Sequence, residues 1–290
     1  MTTKTLHLVP SNYPMNKILS ILLLALLPLT ASAQSFDHDH KAWATLLKKH
    51  VVLIDNNKSS QVRYAGFAQD RSELKAYLGT LSKVSQTEFN TWTKPQQMAF
   101  LINAYNAYTV EKILTRYPSI KSIWDFGKLF GNPFKDKFFA LLGREFSLDM
   151  IEHETLRKPG AYNEPRLHFA VNCASTGCPM LREEAYVASR LDAQLEEQTK
   201  RFLSDRSRNR YNAQDNTLEV SEIFKWFSSD WTSGYRGFDG KNTPLQSREQ
   251  FFAKYAALLA DIPAQQQVIA ERKAAIRHLD YDWTLNDAKK

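Results

Sequence analysis

Cysteine is almost missing from this 290-residue chain: Cys173 and Cys178 are the only two. With a single pair, thiolates alone cannot complete a four-sulfur metal site. No lysine–arginine block with interleaved aromatics occurs, which argues against a nucleic-acid partner. No internal repeat and no low-complexity linker divide the sequence, which argues against a repeat architecture. Beyond one apolar stretch near the N-terminus there is no further run long enough to cross a membrane. No cysteine follows that stretch where a lipid attachment site would need one.

The stretch itself is "MNKILSILLLALLPLTASA", residues 15–33. Lys17 precedes an apolar run from Ile18 to Leu29, and Ala31-Ser32-Ala33 supplies a small-x-small end. Positive start, short apolar core and small-residue end describe a secretory signal peptide cleaved after Ala33, with Met15 the natural initiator. An uncleaved anchor would need about 20 apolar residues. Removing 1–33 takes away Lys4 and Lys17 and no acid, so the net charge falls from +7 to +5. The expected product is periplasmic or secreted, with a mildly basic surface and no stable membrane anchor. Residues 34–290 suit one large domain or two small ones, with ample core.

Helical patterns dominate the first half. Asp37 to Lys49 places Ala42, Trp43, Leu46 and Leu47 on one face; the preceding "DHDH" at 37–40 reads as a charged helix start or as a metal catcher. A second helix is predicted near Ser72 to Leu81. The strongest local signal is Thr93-Lys94-Pro95-Gln96, a capping box with proline in the first turn. The residues after it, Ala99 to Val110, are apolar nearly all round, as in a buried helix. Asn103 and Asn106 lie inside that run, three apart and so on one face. A buried amide left without partners costs about 1–3 kcal/mol. Two roles are open for the pair: bonding loop backbone, or lining a pocket and orienting a substrate.

Further on, "KFFALLGREFSL" predicts a hairpin turning at Gly143-Arg144, with Ser147 capping a short helix that carries Glu152, His153 and Glu154. "RLHFAVN" predicts a buried strand. Alternation along it would put His168 and Asn172 on one face and Cys173 on the other, which makes His168 a poor base for Cys173. Cys173 then stands at the end of a rigid element, where loops build sites.

Three readings of the cysteines compete. A disulfide across the turn suits an oxidising compartment. A zinc site would add His153 or His168 to both thiolates. A nucleophilic cysteine needs a histidine within reach and an acid or amide to orient it; Glu152, His153, His168, Asn172, Asn103 and Glu184 offer the parts.

Five stretches carry a resemblance. They are "AFLINAYNAYTVEKIL" (99–114), "SLDMIEHETLR" (147–157), "RLHFAVNCASTGCPMLREEAY" (166–186), "SEIFKWFSSDW" (221–231) and "LDYDWTLND" (279–287). In this order they resemble the domain-of-unknown-function 547 family. The resemblance implies a papain- or transglutaminase-like α+β fold: a helix-rich single domain on a small antiparallel sheet, its core at about 93–231 and an extension to 290. It also implies a cysteine hydrolase. Cys173 matches the cysteine of the family's "HFAxxC" motif, and Glu152 and His153 match its "IEH" motif; the second cysteine is missing in some relatives, which favours Cys173 over Cys178.

The expected mechanism has His153 deprotonating Cys173, oriented by Glu152 or Glu184, with His168 and Cys178 as alternates. Backbone donors with Asn103, Asn106, Asn172 or Ser175 would hold the substrate or its oxyanion. The expected substrate is a small amide or peptide, such as a γ-glutamyl or thiol peptide, with no cofactor and no metal. Two rivals remain: a non-enzymatic envelope binding or scaffold protein with a Cys173–Cys178 disulfide, and a zinc-dependent hydrolase. The rest reads as framework. A helix is expected over Val187 to Leu203, and a hairpin over 210–221 turning at Asn216. Ser221 caps a further helix, and two more follow over Arg248 to Ala260 and Gln265 to Ala275.

Overall fold

In the computed structural model, which describes residues 1–8, 10, 35–127, 131–232 and 246–288, one long helix organises the rest. The chain divides into two units, Met1–Ser35 and Phe36–Lys290. Residues 1–8 have no regular secondary structure. The signal-peptide segment and its cleavage point lie outside the described residues. No helix among the described residues is long and apolar enough to cross a membrane. The remaining description concerns the second unit.

Its elements begin with α1 (Lys41–His50), the hairpin β1 (Val51–Ile54) and β2 (Ser59–Val62), then α2 (Tyr64–Gln69), α3 (Arg71–Lys83), α4 (Gln86–Thr91) and α5 (Lys94–Leu114). Asp37 accepts from the backbone of Asp39 and Lys41, so "DHDH" starts α1. The capping box forms at the head of α5: Gln96 N–H donates to Thr93 Oγ1, and Gln96 Oε1 accepts from Thr93 N–H at 2.9 Å. Nearly the whole of α5 is buried, because its apolar residues run round every face and neighbours surround it.

The second half holds the hairpin β3 (Phe139–Leu141) and β4 (Arg144–Phe146), α6 (Leu191–Ser204), β5 (Arg210–Asn212), β6 (Thr217–Ser221), α7 (Ile223–Trp226), α8 (Arg248–Lys254), α9 (Ala256–Leu259), α10 (Pro263–Ala270) and β7 (Ala275–Leu279). Leu142 and Gly143 both have positive φ, which is the geometry of a tight hairpin turn. Helices and small sheets mix in an α+β arrangement. The sheet differs from the expected antiparallel one: β5 pairs antiparallel with β6, but β6 pairs parallel with β7. The long connection through α7–α10 makes that possible. Residue 275, expected to end a helix, is the first of β7.

Two apolar clusters form. One surrounds α5; the other gathers Phe169, Phe202, Phe224, Trp231 and Phe251 beneath β6 and α8. After β7 the chain runs back along the first cluster. Thr176 N–H donates to Thr284 O at 2.7 Å, Gly177 N–H to Asp282 O at 2.8 Å, and Asn286 N–H to Ala174 O at 3.1 Å. The last residues are thereby stitched to the turn between the cysteines.

Candidate functional site

The predicted strand over 166–172 does not form. Residues Pro165–Phe169 make a 3-10 helix. Pro165 at its first turn and the Glu164 carboxylate, which accepts from Arg166 N–H at 3.0 Å, start it. The two-residue alternation that set His168 against Cys173 therefore never applies. Both residues line one cavity of about 320 Å³, together with Glu152, His153, Tyr105, Cys178 and Tyr281.

Asparagines shape the loop that carries Cys173. Asn106 Nδ2 donates to Ala170 O at 2.9 Å while its Oδ1 accepts from Asn172 N–H at 2.8 Å. Asn103 clamps Tyr186 the same way, donating to its carbonyl and accepting from its N–H. Asn172 donates to Pro179 O and accepts from Ala174 N–H, folding the cysteine turn onto itself. Ala174 takes a positive φ at the bend. These three amides are buried and hold backbone, and none of them lines the cavity; each spends one N–H and its carbonyl oxygen on backbone partners.

Cys173 and Cys178 are free thiols with their sulfurs 2.8 Å apart. Cys173 Sγ also lies 3.1 Å from Ser175 Oγ and 3.1 Å from the Tyr281 hydroxyl. Burial alone would push the Cys173 thiol up. Hydrogen bonds from Cys178, Ser175 and Tyr281 outweigh that and hold it below the ordinary thiol value. Cys178 goes the other way: burial and the neighbouring Cys173 push it well up. Of the pair, Cys173 is the more acidic thiol and Cys178 the less acidic one. Ser175 thus serves the sulfur directly.

The histidines separate clearly. His153, on the π-helical turn Met150–Leu156 whose Met150 N–H donates to Ser147 Oγ, is exposed, and its Nδ1 accepts from Arg157 Nη1 at 2.5 Å. His168 is buried and stacks on Phe227, ring centroids 3.9 Å apart. Its Nε2 faces Asp230 Oδ2 at 2.8 Å, and Arg157 grips the same carboxylate through Nε and Nη2 at 2.6 and 3.0 Å. Despite burial, those two partners hold the Asp230 carboxyl well below its usual range. Burial lowers His168, with Asp230 opposing. With Nε2–H donating to Asp230, the neutral ring presents its Nδ1 lone pair. That atom is buried and has no hydrogen-bond partner among the described residues. Cys173 itself bonds no histidine among them.

Glu152 lines the cavity, with an oxygen 3.8 Å from His168 Nδ1. Burial raises its carboxyl above the usual range, and Tyr105 shares a hydrogen bond with it. Glu184 is elsewhere: it pairs with Arg182, Arg190 and Gln194, which hold it at about 2 against the effect of burial. This network ties the loop to α6, and Glu184 does not line the cavity. Among the described residues, no group of three or more His, Cys, Asp or Glu is placed to hold a metal ion, and the zinc arrangement of both thiolates with a histidine is not assembled.

Two residues escaped the sequence reading. Asp230 belongs to "FKWFSSDW" and Tyr281 to "LDYDW", stretches read mainly as core aromatics. Phe224 and Trp231 are indeed core, but Trp226, Tyr281 and Trp283 wall the cavity, with Trp226 and Trp283 stacked at 5.8 Å. The signal that was available is the polar residue inside each aromatic run.

Comparison with known proteins gives one match: the family described as "Protein of unknown function, DUF547" covers residues 89–203. That span contains both cysteines, His153 and His168, and stops short of Asp230 and Tyr281. No curated protein and no solved structure matches the chain.

Proposed function

We propose that this protein is an exported cysteine hydrolase of small amides or peptides, papain- or transglutaminase-like in its Cys–His–acid chemistry. One observation carries the reading: a hydrogen-bonded thiol and a carboxylate-anchored histidine with a ring nitrogen that makes no hydrogen bond line the same cavity. Cys173 is the nucleophile. His168 is the base and later the acid, with Asp230 fixing its tautomer and Arg157 fixing Asp230. This replaces His153, whose Nδ1 is already bonded by a guanidinium that cannot give up its proton role.

His168 Nδ1 takes the proton of the Cys173 thiol as the sulfur attacks the carbonyl carbon, and the electrons of the C=O π bond move onto the oxygen. Tyr281, raised well above the ordinary phenol value first by burial, keeps its proton and is suited to donate to that oxygen. Collapse expels the amine, which takes a proton from His168, and water then releases the acyl group with His168 as base. Catalytic hydrogen bonds are often long before substrate binds, so the Cys173–His168 bond belongs to the complex. The aromatic wall of Trp124, Trp226 and Trp283 favours a substrate with a flat or apolar portion.

The test is turnover of a panel of γ-glutamyl and short-peptide amides by the reduced protein, with peptide mapping after iodoacetamide. Selective alkylation of Cys173 near neutral pH and loss of turnover in Cys173→Ala are expected. Undiminished turnover by that variant would sink the proposal.

A further inference from the structure

We propose that Cys173 and Cys178 form a reversible redox couple: a hydroperoxide entering the cavity oxidises Cys173, and Cys178 closes a disulfide that shuts the site until a thiol reductant reopens it. The shutting part rests on the hydrolase reading; the couple itself does not.

Several observations converge. The sulfurs stand 2.8 Å apart, against about 2.05 Å in a disulfide, so their side chains already point at each other. The Cys173 N–H also donates to Cys178 Sγ at 2.9 Å, which holds the second sulfur in place. The turn between them is pinned at Ala174, Thr176 and Gly177 to the C-terminal stretch, so approach of the two sulfurs needs little more than side-chain motion. The two thiols are unlike. Both border the cavity, but Cys173 is partly exposed and the more acidic thiol, whereas Cys178 is buried and its thiol is pushed well up. Attack by the outer sulfur and resolution by the inner one follows from that order. Acyl transfer requires no second cysteine, so its position within contact of the first is left unexplained by hydrolysis alone.

The chemistry balances. The Cys173 thiolate attacks the terminal oxygen of ROOH; the S–O bond forms, the O–O bond breaks, and RO⁻ leaves and takes a proton from water. Cys173 is now a sulfenic acid. The Cys178 sulfur attacks it, the S–S bond forms, and the leaving hydroxide takes the Cys178 proton to become water. Two electrons pass from the two thiols to the peroxide. A dithiol returns them by exchange through a mixed disulfide.

The full reduced chain is treated with hydrogen peroxide from one equivalent upward, quenched with N-ethylmaleimide, and analysed by intact mass and peptide mapping. The expected result is a mass lower by two hydrogens, a cross-linked Cys173–Cys178 peptide, loss of both thiols in a one-to-one ratio, and full return with dithiothreitol. In Cys178→Ser, Cys173 stops at a sulfenic acid that dimedone traps, and excess peroxide drives it on to sulfinic acid. Wild-type protein that accumulates sulfinic acid at Cys173 with Cys178 still alkylatable, or that keeps both thiols, overturns the couple. Amide turnover by the reduced protein is assayed separately, so a working couple without hydrolysis would reject the hydrolase reading alone.

Discussion

In the proposed mechanism, the choice of base rests on which ring nitrogen is left over. Arg157 is shared by both candidates: it bonds His153 Nδ1 through one nitrogen and grips Asp230 through two others. His153 therefore loses its lone pair to a permanent donor, whereas His168 gains an anchored carboxylate. His168→Gln is expected to lower kcat by about 10²–10⁴-fold, the usual contribution of a positioned acid–base group. His153→Gln should change kcat less than about tenfold, on the same scale. Asp230→Asn would act through His168, so the pH profile of kcat/KM should shift with the loss in rate; an unchanged profile would leave Asp230 a purely structural residue. Glu152 offers a test that needs no substrate. Its carboxyl is raised in the fold, chiefly by burial, so above its unfolded value near 4.5 the unfolded chain loses a proton that the folded one keeps. Stability then falls as pH rises through that window. Glu152→Gln lacks this penalty, and its melting temperature relative to wild type should climb from pH 4.5 upward.

Loops and helices add their own constraints. The cysteine turn depends on the close approach of Gly177 to the backbone of Asp282, where an added Cβ would meet the amide nitrogen at 2.9 Å and the carbonyl oxygen at 3.0 Å. Both are main-chain atoms and cannot swing aside. Gly177→Ala should push the 281–284 stretch away, remove the Tyr281 hydroxyl from Cys173, and slow alkylation of Cys173 by iodoacetamide at neutral pH. Unchanged alkylation would show that Tyr281 does not sustain the thiolate. At the head of α5, Thr93→Ala deletes one half of the capping box and is expected to cost about 1 kcal/mol in urea unfolding. Cys173 reactivity should survive it, since the asparagine clamps sit in the middle of α5, well beyond the first turn that the cap holds.

Acid stability is a property of the whole second unit. His40 is buried beside Tyr77, its Nδ1 2.8 Å from the hydroxyl, and burial lowers it to about 3, with Asp37 opposing. Between about 6.5 and 3 the unfolded chain holds a proton on this ring that the folded chain refuses. Stability therefore falls as pH drops below 6.5, by at most about 1.4 kcal/mol per pH unit. His168, lowered for the same reason, adds to the slope. His40→Gln should flatten the decline in melting temperature between pH 6.5 and 5, above the carboxylate range. An equally steep decline would place the acid sensitivity elsewhere.

Local chemistry was legible in the sequence. The α5 cap, the buried α5 run, the hairpin turns at Gly143 and Asn216, and the caps Ser147 and Ser221 depend on a few neighbouring residues, and those signals are written side by side. The cavity lining was half legible: its cysteines and histidines stood out as residue types, but the strand expected over 166–172 does not form, because a short apolar run does not distinguish a strand from a 3-10 turn. Tertiary structure alone decided which groups meet. Asp230 reaches His168 across sixty-two positions and Tyr281 reaches Cys173 across one hundred and eight. Contacts that distant depend on how two apolar clusters close and on backbone bonds between the cysteine turn and residues 282–286. Neither is encoded in any local pattern, whereas a cap, a turn or a buried face is.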